Sequence, residues 1–324
     1  MQLNRIRGML MGVAVGDASG APYELRRGQG VPYTPVITHR IQISIPYQGV
    51  KTLALGQFTD DTEMSLVLAR NILKNKGYNR NSVITDYQAW ANSGTQMLGT
   101  NTKALLKGPT TLRGYQNRYT KIFSKPMTEW SLSNGCLMRA SPLALIWDNQ
   151  VVIDDCSITN PHPINLDANL VYINALRLAL QGKSREEIWS LIKPIAQTPE
   201  VQNIFTQVET QQSRDMTVTK GFVLHALYCT LWTLKYIHKY EDMLDWVVNQ
   251  HRHTDTDTNA AIAGALIGAI LGYDAMMLEP NTAENIKLVR NCDSKQGQMP
   301  RPVDYTLHDF DTLTEALYKL ANGI

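Results

Sequence analysis

Two series of glycines, each spaced by four residues, limit the fold of this chain more than any other pattern in its sequence. They are Gly8, Gly12, Gly16 and Gly20 near the start, and Gly264, Gly268 and Gly272 near the end. On an α-helix, residues four apart lie on one face, and a face without side chains lets a second helix backbone approach closely. A glycine inside a helix costs about 1 kcal/mol relative to alanine, so a close contact must offset that cost at each position. We therefore predict two helices that are buried and central.

The remaining sequence is typical of an all-α protein. Only residues 36–45 (VITHRIQISI) alternate as a strand does, and one short strand does not build a sheet. Glycine, proline and asparagine predict a loop at 108–119. No long linker divides the sequence, so we predict a single domain over residues 1–324. Apolar residues recur at helical intervals in 61–73, 137–146, 170–180, 185–195, 222–237, 243–248, 260–271 and 313–320.

Composition excludes several classes of protein. Hydrophobic residues make up 44% of the chain and charged residues 19%, as in a soluble globular protein with a sizeable core. The net charge of +2 does not imply a nucleic-acid partner. The most apolar run, 260–273, is shorter than the roughly 20 residues that span a bilayer, and the apolar stretch 9–15 is short for a signal peptide. The four cysteines lack metal-finger spacing, so we expect a cytoplasmic protein in a reducing compartment.

Two short acidic motifs carry the predicted chemistry. They are TDDT at 59–62 and DTDT at 255–258, and each precedes a helical pattern. Either motif alone is explained as a helix cap, because Asp and Thr oxygens accept the free backbone N–H groups there. Together they hold four carboxylates, which repel one another unless a cation or a retained proton is present. Oxygen ligands without nearby cysteine suit Mg²⁺ or Mn²⁺, so a fold that joins the motifs would make a metal site.

A third pair of carboxylates follows the first glycine series directly. Asp17 and Glu24 lie in the sequence GDASGAPYEL. This pair is equally explained as a surface loop with a capping aspartate. The residue pattern alone leaves both interpretations open.

Four motifs, in the same order along the chain, resemble the ADP-ribosylglycohydrolase family. GMLMGVAVGDASGAPYEL is similar to the opening of these enzymes, and FTDDTEMSLVLA resembles their first metal motif. SNGCLMRASPLAL resembles their NGxxMRxxPL segment, and DTDTNAAIAGALIGAILG resembles their second metal motif with the helix that follows. The resemblance covers most of the chain. It implies a compact all-α bundle with a binuclear magnesium centre in a cleft, and hydrolysis of the bond between ADP-ribose and an acceptor.

The resemblance also implies roles for individual residues. Two Mg²⁺ ions, with Mn²⁺ as the alternative, are expected at Thr59, Asp60, Asp61, Asp255, Asp257 and Thr258. Glu24 takes the position of the catalytic or substrate-gating glutamate, and Asp60 and Asp61 are further catalytic candidates. The expected substrate-binding residues are Asp17, Asn134, Gly135, Met138, Arg139 and His162.

Three departures from the family pattern bear on the substrate. His253 and Thr254 stand where the family has two glycines, which changes how closely a ligand approaches the backbone there. Asn160 stands where a histidine is common. Met97 stands where arginine-type hydrolases carry an aspartate, and this weakens the case for arginine-linked substrates.

One basic segment has two interpretations. Between Tyr87 and Thr128 there is no acidic residue, and Tyr115 and Tyr119 lie among the basic ones. The plain interpretation is a solvated face, and the alternative is an electropositive surface that attracts a pyrophosphate or a chain of ADP-ribose units. The basic residues are Lys103, Lys107, Arg113, Arg118, Lys121 and Lys125.

The predicted partner is an ADP-ribosylated protein or a small molecule containing ADP-ribose. We expect a monomer with no membrane attachment. The acceptor atom stays open among arginine, serine, an acetyl ester and a nucleic-acid end. Three other functions remain as alternatives: a non-catalytic ADP-ribose-binding module, a structural protein on the same fold, and a metal-dependent phosphohydrolase.

Overall fold

The fold is all-α, as predicted. A computed structural model describes residues 1–24, 30–95, 97–125 and 132–324. None of the described helices combines the length and the apolar character needed to cross a membrane. The described helices are α1 (Leu3–Gly20), α2 (Asp60–Asn75), α3 (Arg80–Ala91), α4 (Thr100–Leu106), α5 (Leu112–Phe123), α6 (Asn149–Thr159), α7 (Pro163–Leu180), α8 (Arg185–Ile192), α9 (Pro199–Glu209), α10 (Val223–Tyr236), α11 (Tyr240–Leu244), α12 (Thr256–Leu271), α13 (Tyr273–Met276), α14 (Pro280–Arg290) and α15 (Phe310–Asn322).

Helices α1 and α12 pack backbone against backbone at the centre of the core. A Cβ atom built on Gly12 would lie 2.1 Å from the carbonyl oxygen of Gly264, and one built on Gly8 would lie 2.1 Å from that of Gly268. Both helices are buried over most of their length. The prediction of two buried, central helices is therefore confirmed, and Gly272 ends α12 with a φ of +82°.

The same contact brings the end of α1 to the start of α12. A Cβ on Gly20 would lie 2.5 Å from the carbonyl oxygen of Thr256 and 2.6 Å from the Cα of Asp257. The Thr256 hydroxyl donates to the Gly20 carbonyl at 2.8 Å. Residues that follow α1, including Glu24, are thereby placed beside the DTDT motif.

Two local predictions were wrong. Residues 137–146 do not form an α-helix, since the structure has 3₁₀ turns at Asn134–Cys136 and Ser141–Leu145. Pro142 offers no N–H to an α-helical hydrogen bond there. Most of the loop predicted at 108–119 belongs to α5, which begins at Leu112. The Thr111 side chain accepts a hydrogen bond from the Gly114 N–H and caps that helix.

The strand-like segment 36–45 forms a strand only at its end. Strand β1 (Gln42–Ile45) pairs antiparallel with β2 (Gly49–Thr52), which the sequence did not indicate. Tyr47 in the turn has a φ of +64°. This hairpin is the only sheet among the described residues, and Ile43 from β1 reaches the wall of the cavity described below.

Candidate active site

A cavity of about 510 Å³ is lined by residues of both acidic motifs. Asp60 comes from the first turn of α2, and Asp255, Asp257 and Thr258 come from the start of α12. Glu24, which follows α1, lines the same cavity. The fold therefore joins three segments that are far apart in sequence.

Three carboxylates at this cavity lie close enough to share a cation. One oxygen atom from each of Glu24, Asp255 and Asp257 lies within 4.8 Å of the other two. Burial first, and then the charge of Asp257, raises the pKa of Asp255 to about 7. Repulsion of this kind is relieved when a divalent cation binds between the groups.

Asp61, just behind the cavity wall, supplies a second sign that the site fits a cation. Its side chain is 1% exposed, and its Oδ1 atom is buried without a hydrogen-bond partner among the described residues. A buried carboxylate oxygen left unpaired is costly. Burial, followed by the charges of Asp17 and Asp60, raises the pKa of Asp61 well above its usual range. Hard oxygen ligands of this kind suit Mg²⁺ or Mn²⁺.

Asp17 supports the first turn of α2 and does not line the cavity. Its carboxylate accepts the Thr59 hydroxyl at 2.7 Å and the Thr62 hydroxyl at 2.6 Å. It also accepts both backbone N–H groups of these threonines, each at 3.0 Å. With the side chain 0% exposed, Asp17 positions Thr59 and its neighbours from behind the cavity.

Asn134 connects the NGxxMR segment to the second acidic motif. Its side-chain Nδ2 donates to Asp255 Oδ2 at 2.6 Å, and its backbone N–H donates to the Gly221 carbonyl at 2.8 Å. Asn134, Gly135 and Met138 all line the cavity. Asn134 thus fixes the orientation of one carboxylate of the three-carboxylate cluster.

We predict that Asn134→Ala weakens divalent-cation binding by about 10- to 100-fold, because groups that orient a metal ligand typically contribute that much. Calorimetric titration with Mn²⁺ measures the effect. The exposed Asn291 gives a matched control, and Asn291→Ala is expected to bind like the parent. Equal cation affinity in Asn134→Ala and the parent would show that Asp255 needs no such support.

Besides Asp17, two of the expected substrate-binding residues do not line the cavity. Arg139 is 0% exposed, and its Nε donates to Asp155 Oδ2 at 3.0 Å. Its other contacts include the Thr159 hydroxyl, so it holds the NGxxMR segment against α6. His162 Nδ1 accepts the Ile164 N–H at 3.2 Å and caps α7. Both residues make contacts within the protein, and neither is among the described residues that line the cavity.

The structure adds cavity residues that sequence reasoning missed. The first turn of α4 lines the cavity through Thr100, Asn101 and Thr102, and Asn101 has a buried Oδ1 with no hydrogen-bond partner among the described residues. Lys220 and Gly221 also line the cavity, and Lys220 is the only cation among the described lining residues. The similarity of the segment around Asn101 to family sequences pointed to this turn, whereas nothing in the sequence marked Lys220.

His253, one of the departures from the family pattern, adopts a backbone conformation that glycine takes readily. Its φ is +71°. Its N–H donates to the Tyr23 carbonyl at 3.4 Å, next to Glu24. The chain therefore keeps the turn before the DTDT motif without the glycine.

Comparisons with known proteins show which family and which fold this chain resembles. The sequence model of the family described as ADP-ribosylglycohydrolase matches residues 1–296. The ADP-ribosyl-[dinitrogen reductase] glycohydrolase of Rhodospirillum rubrum is 28% identical over 288 residues, which cover 84% of this chain and 87% of that protein. An ADP-ribosylarginine hydrolase of Pseudomonas putida is 26% identical over 294 residues, covering 85% of this chain and 72% of that one. A solved ADP-ribosylglycohydrolase-related protein complex has the same fold, with a TM-score of 0.66, 23% identity, and coverage of 89% of this chain and 98% of the other.

Proposed function

The chain belongs to the ADP-ribosylglycohydrolase family and is a glycosidic-bond hydrolase, and we propose that it releases ADP-ribose from modified proteins with two Mg²⁺ ions bound at its acidic turns. The observation that carries this proposal is the meeting of the TDDT and DTDT motifs at one cavity of about 510 Å³. Ligand sites of this kind typically span about 300–1,000 Å³. We further propose that the chain acts as a monomer with one catalytic domain.

The proposed ligands divide between the two motifs. Asp60 and Asp61 with the Thr59 hydroxyl would hold one cation, and Asp255, Asp257 and Thr258 would hold the other. The buried, unpartnered Asp61 Oδ1 and the 4.8 Å cluster that includes Glu24 support this assignment. When bound, such cations orient hydroxyl groups and lower the pKa of a water molecule.

The protein's own residues supply the remaining chemistry. The glycosidic bond breaks through a transition state with oxocarbenium character, whose positive charge carboxylates stabilise. We propose that Glu24 accepts a proton from the attacking water, since it lines the cavity beside Asp255 and Asp257. Asp60 and Asp61 remain the alternative proton acceptors. Asn134 keeps Asp255 oriented while the substrate binds.

A product assay with a panel of ADP-ribosylated substrates tests the proposal. The panel carries arginine, serine and acetyl-ester linkages, and each reaction runs with Mg²⁺ and with a chelator. We expect a modified protein to release free ADP-ribose in the reactions with Mg²⁺ and not in the reactions with the chelator. AMP as the product would identify a phosphohydrolase, and tight binding without any product would identify a binding module.

Lys220 provides a second test of substrate binding. As the only cation among the cavity residues that the structure describes, it is proposed to contact the pyrophosphate of ADP-ribose. We predict that Lys220→Ala raises KM about tenfold and leaves kcat within about twofold, because the pyrophosphate is bound equally in the ground and transition states. Steady-state kinetics measure both constants.

Binding measurements separate this role from a general effect on the cavity. Lys220→Ala should weaken ADP-ribose binding and leave adenosine binding unchanged, while Lys220→Arg keeps most of the affinity. The exposed Lys287 supplies the control, Lys287→Ala. An equal loss for ADP-ribose and adenosine would rule out the pyrophosphate contact.

A further inference from the structure

Helices α4 and α5 present a group of exposed cations, here called the α4–α5 face and defined by Lys103, Arg113 and Lys121. All three are exposed. From residue 87 to residue 125 the sequence contains no acidic residue. Residues 126–128 of the basic segment also lie outside the described residues. The face is therefore free of carboxylates of its own.

The construction of α5 directs these cations outward. Arg113 and Lys121 are eight residues apart, which places them on one side of the helix. Tyr115 is buried on the other side, and its ring lies 5.8 Å from that of Tyr119. Arg118 is used internally, since its Nη1 donates to the Ala104 carbonyl at 3.1 Å and joins α5 to α4.

No counter-ion neutralises the α4–α5 face among the described residues. Some exposed lysines elsewhere have one: Lys183 lies 2.8 Å from Glu187, and Lys193 lies 2.7 Å from Glu209. None of the three cations of the face forms such a pair within the described part of the chain. Because the net charge of the whole chain is only +2, these unpaired cations are a local concentration of positive charge.

One residue of the face, Lys103, directly follows the cavity wall along α4. Gly99, Thr100, Asn101 and Thr102 line the cavity wall, and Lys103 is the next residue of α4. A helix of seven residues is about 10 Å long. A polypeptide attached to ADP-ribose in the cavity would therefore leave it within a few residues of Lys103, the member of the face nearest the wall in sequence.

We infer that the α4–α5 face docks an acidic segment of the ADP-ribosylated acceptor protein, an inference that rests on the proposed function. Unpaired cations beside the cavity complement carboxylates that flank the modified residue. Such complementarity mainly speeds association and weakens as salt rises. The face thus selects among acceptor proteins, while the cavity binds the ADP-ribose that all of them carry.

Two ADP-ribosylated peptides test this inference on the full-length protein. They share the linkage cleaved in the product assay, and the modified residue is flanked by glutamates in one and by glutamines in the other. We expect the parent protein to show a kcat/KM about tenfold higher for the acidic peptide at low salt. The triple variant Lys103→Gln/Arg113→Gln/Lys121→Gln should lose this preference and keep its rate on the neutral peptide.

A matched variant controls for the loss of charge. Lys76→Gln/Lys287→Gln/Lys319→Gln removes three exposed cations elsewhere and should keep the preference. Equal kcat/KM for the two peptides in the parent, or an equal response of both triple variants, would overturn the inference. An oligonucleotide that displaces the acidic peptide at lower concentration than a glutamate-rich peptide would also overturn it, in favour of a nucleic-acid surface.

Failure of the proposed function would look different. In that case no peptide releases ADP-ribose in any variant. The affinities of the parent and the two triple variants for the labelled peptides, measured by fluorescence anisotropy, then decide the inference. A preference for the acidic peptide that only the α4–α5 substitutions remove supports it, and the lack of such a preference overturns it.

Discussion

Replacing Asp257 by asparagine should lower kcat/KM for ADP-ribose release by about 10³-fold or more, equivalent to about 4 kcal/mol of transition-state stabilisation. Asp257 belongs to the cluster whose oxygen atoms lie within 4.8 Å of one another. Asparagine keeps the size of the side chain and the oxygen that accepts the Thr258 N–H at 2.9 Å. The hydrogen bond at the start of α12 is therefore preserved, while the negative charge of one proposed metal ligand is removed. Kinetics in saturating Mg²⁺, with calorimetry for cation affinity, measure the effect.

Asp242→Asn is the matched control for this substitution, since Asp242 is exposed on α11. It should keep the activity and cation affinity of the parent. An Asp257→Asn protein with full activity and unchanged cation affinity would contradict the proposed metal site. Thermal melting of both variants checks that the fold is retained.

Replacing Gly12 by alanine should destabilise the whole protein by about 3 kcal/mol or more, at or above the usual cost of overpacking. The added Cβ would lie 2.1 Å from the carbonyl oxygen and 2.7 Å from the carbonyl carbon of Gly264. Because the obstacle is backbone, no side-chain rotation relieves it, and α1 and α12 must separate. Urea denaturation measures the free energy of unfolding.

Gly99→Ala provides the comparison, because a Cβ there meets nothing within 4 Å and the φ of Gly99 is −56°. Its stability should stay within about 1 kcal/mol of the parent, because Gly99 is the N-cap of α4, where alanine is less favourable than glycine. If Gly12→Ala proved as stable as Gly99→Ala, the close contact of the two central helices would be wrong. Separation of these helices should also displace Asp257 from the end of α1, so residual folded protein should have low activity.

The glycine series predicted the central helix pair because its four-residue period has a direct geometric meaning. The acidic motifs were recognisable in the sequence, but their meeting depends on two separate contacts of α1. Gly20 meets Thr256 of the DTDT motif, and the buried Asp17 holds Thr59 and Thr62 of the TDDT motif. Buried polar partners were also invisible in the sequence. Arg139 and Asp17 were expected at the substrate, and the structure pairs them with Asp155 and with two threonine hydroxyls.

Local errors have similar causes. Residues 137–146 have helical periodicity, yet Pro142 and the buried Arg139 produce short turns. Lys220 was missed because loop residues near a cavity follow no periodic pattern. In each case the deciding factor is a tertiary contact or a single backbone constraint rather than the distribution of apolar residues.

The central claim is that the two acidic turns together hold a pair of divalent cations, one at each turn. Anomalous diffraction from crystals grown with Mn²⁺ tests it most directly, since each ion gives its own density peak. The account predicts peaks about 2.0–2.3 Å from carboxylate oxygens of both turns, Asp60 or Asp61 on one and Asp255 or Asp257 on the other. Mn²⁺ density at neither turn, or at one turn alone, would contradict it.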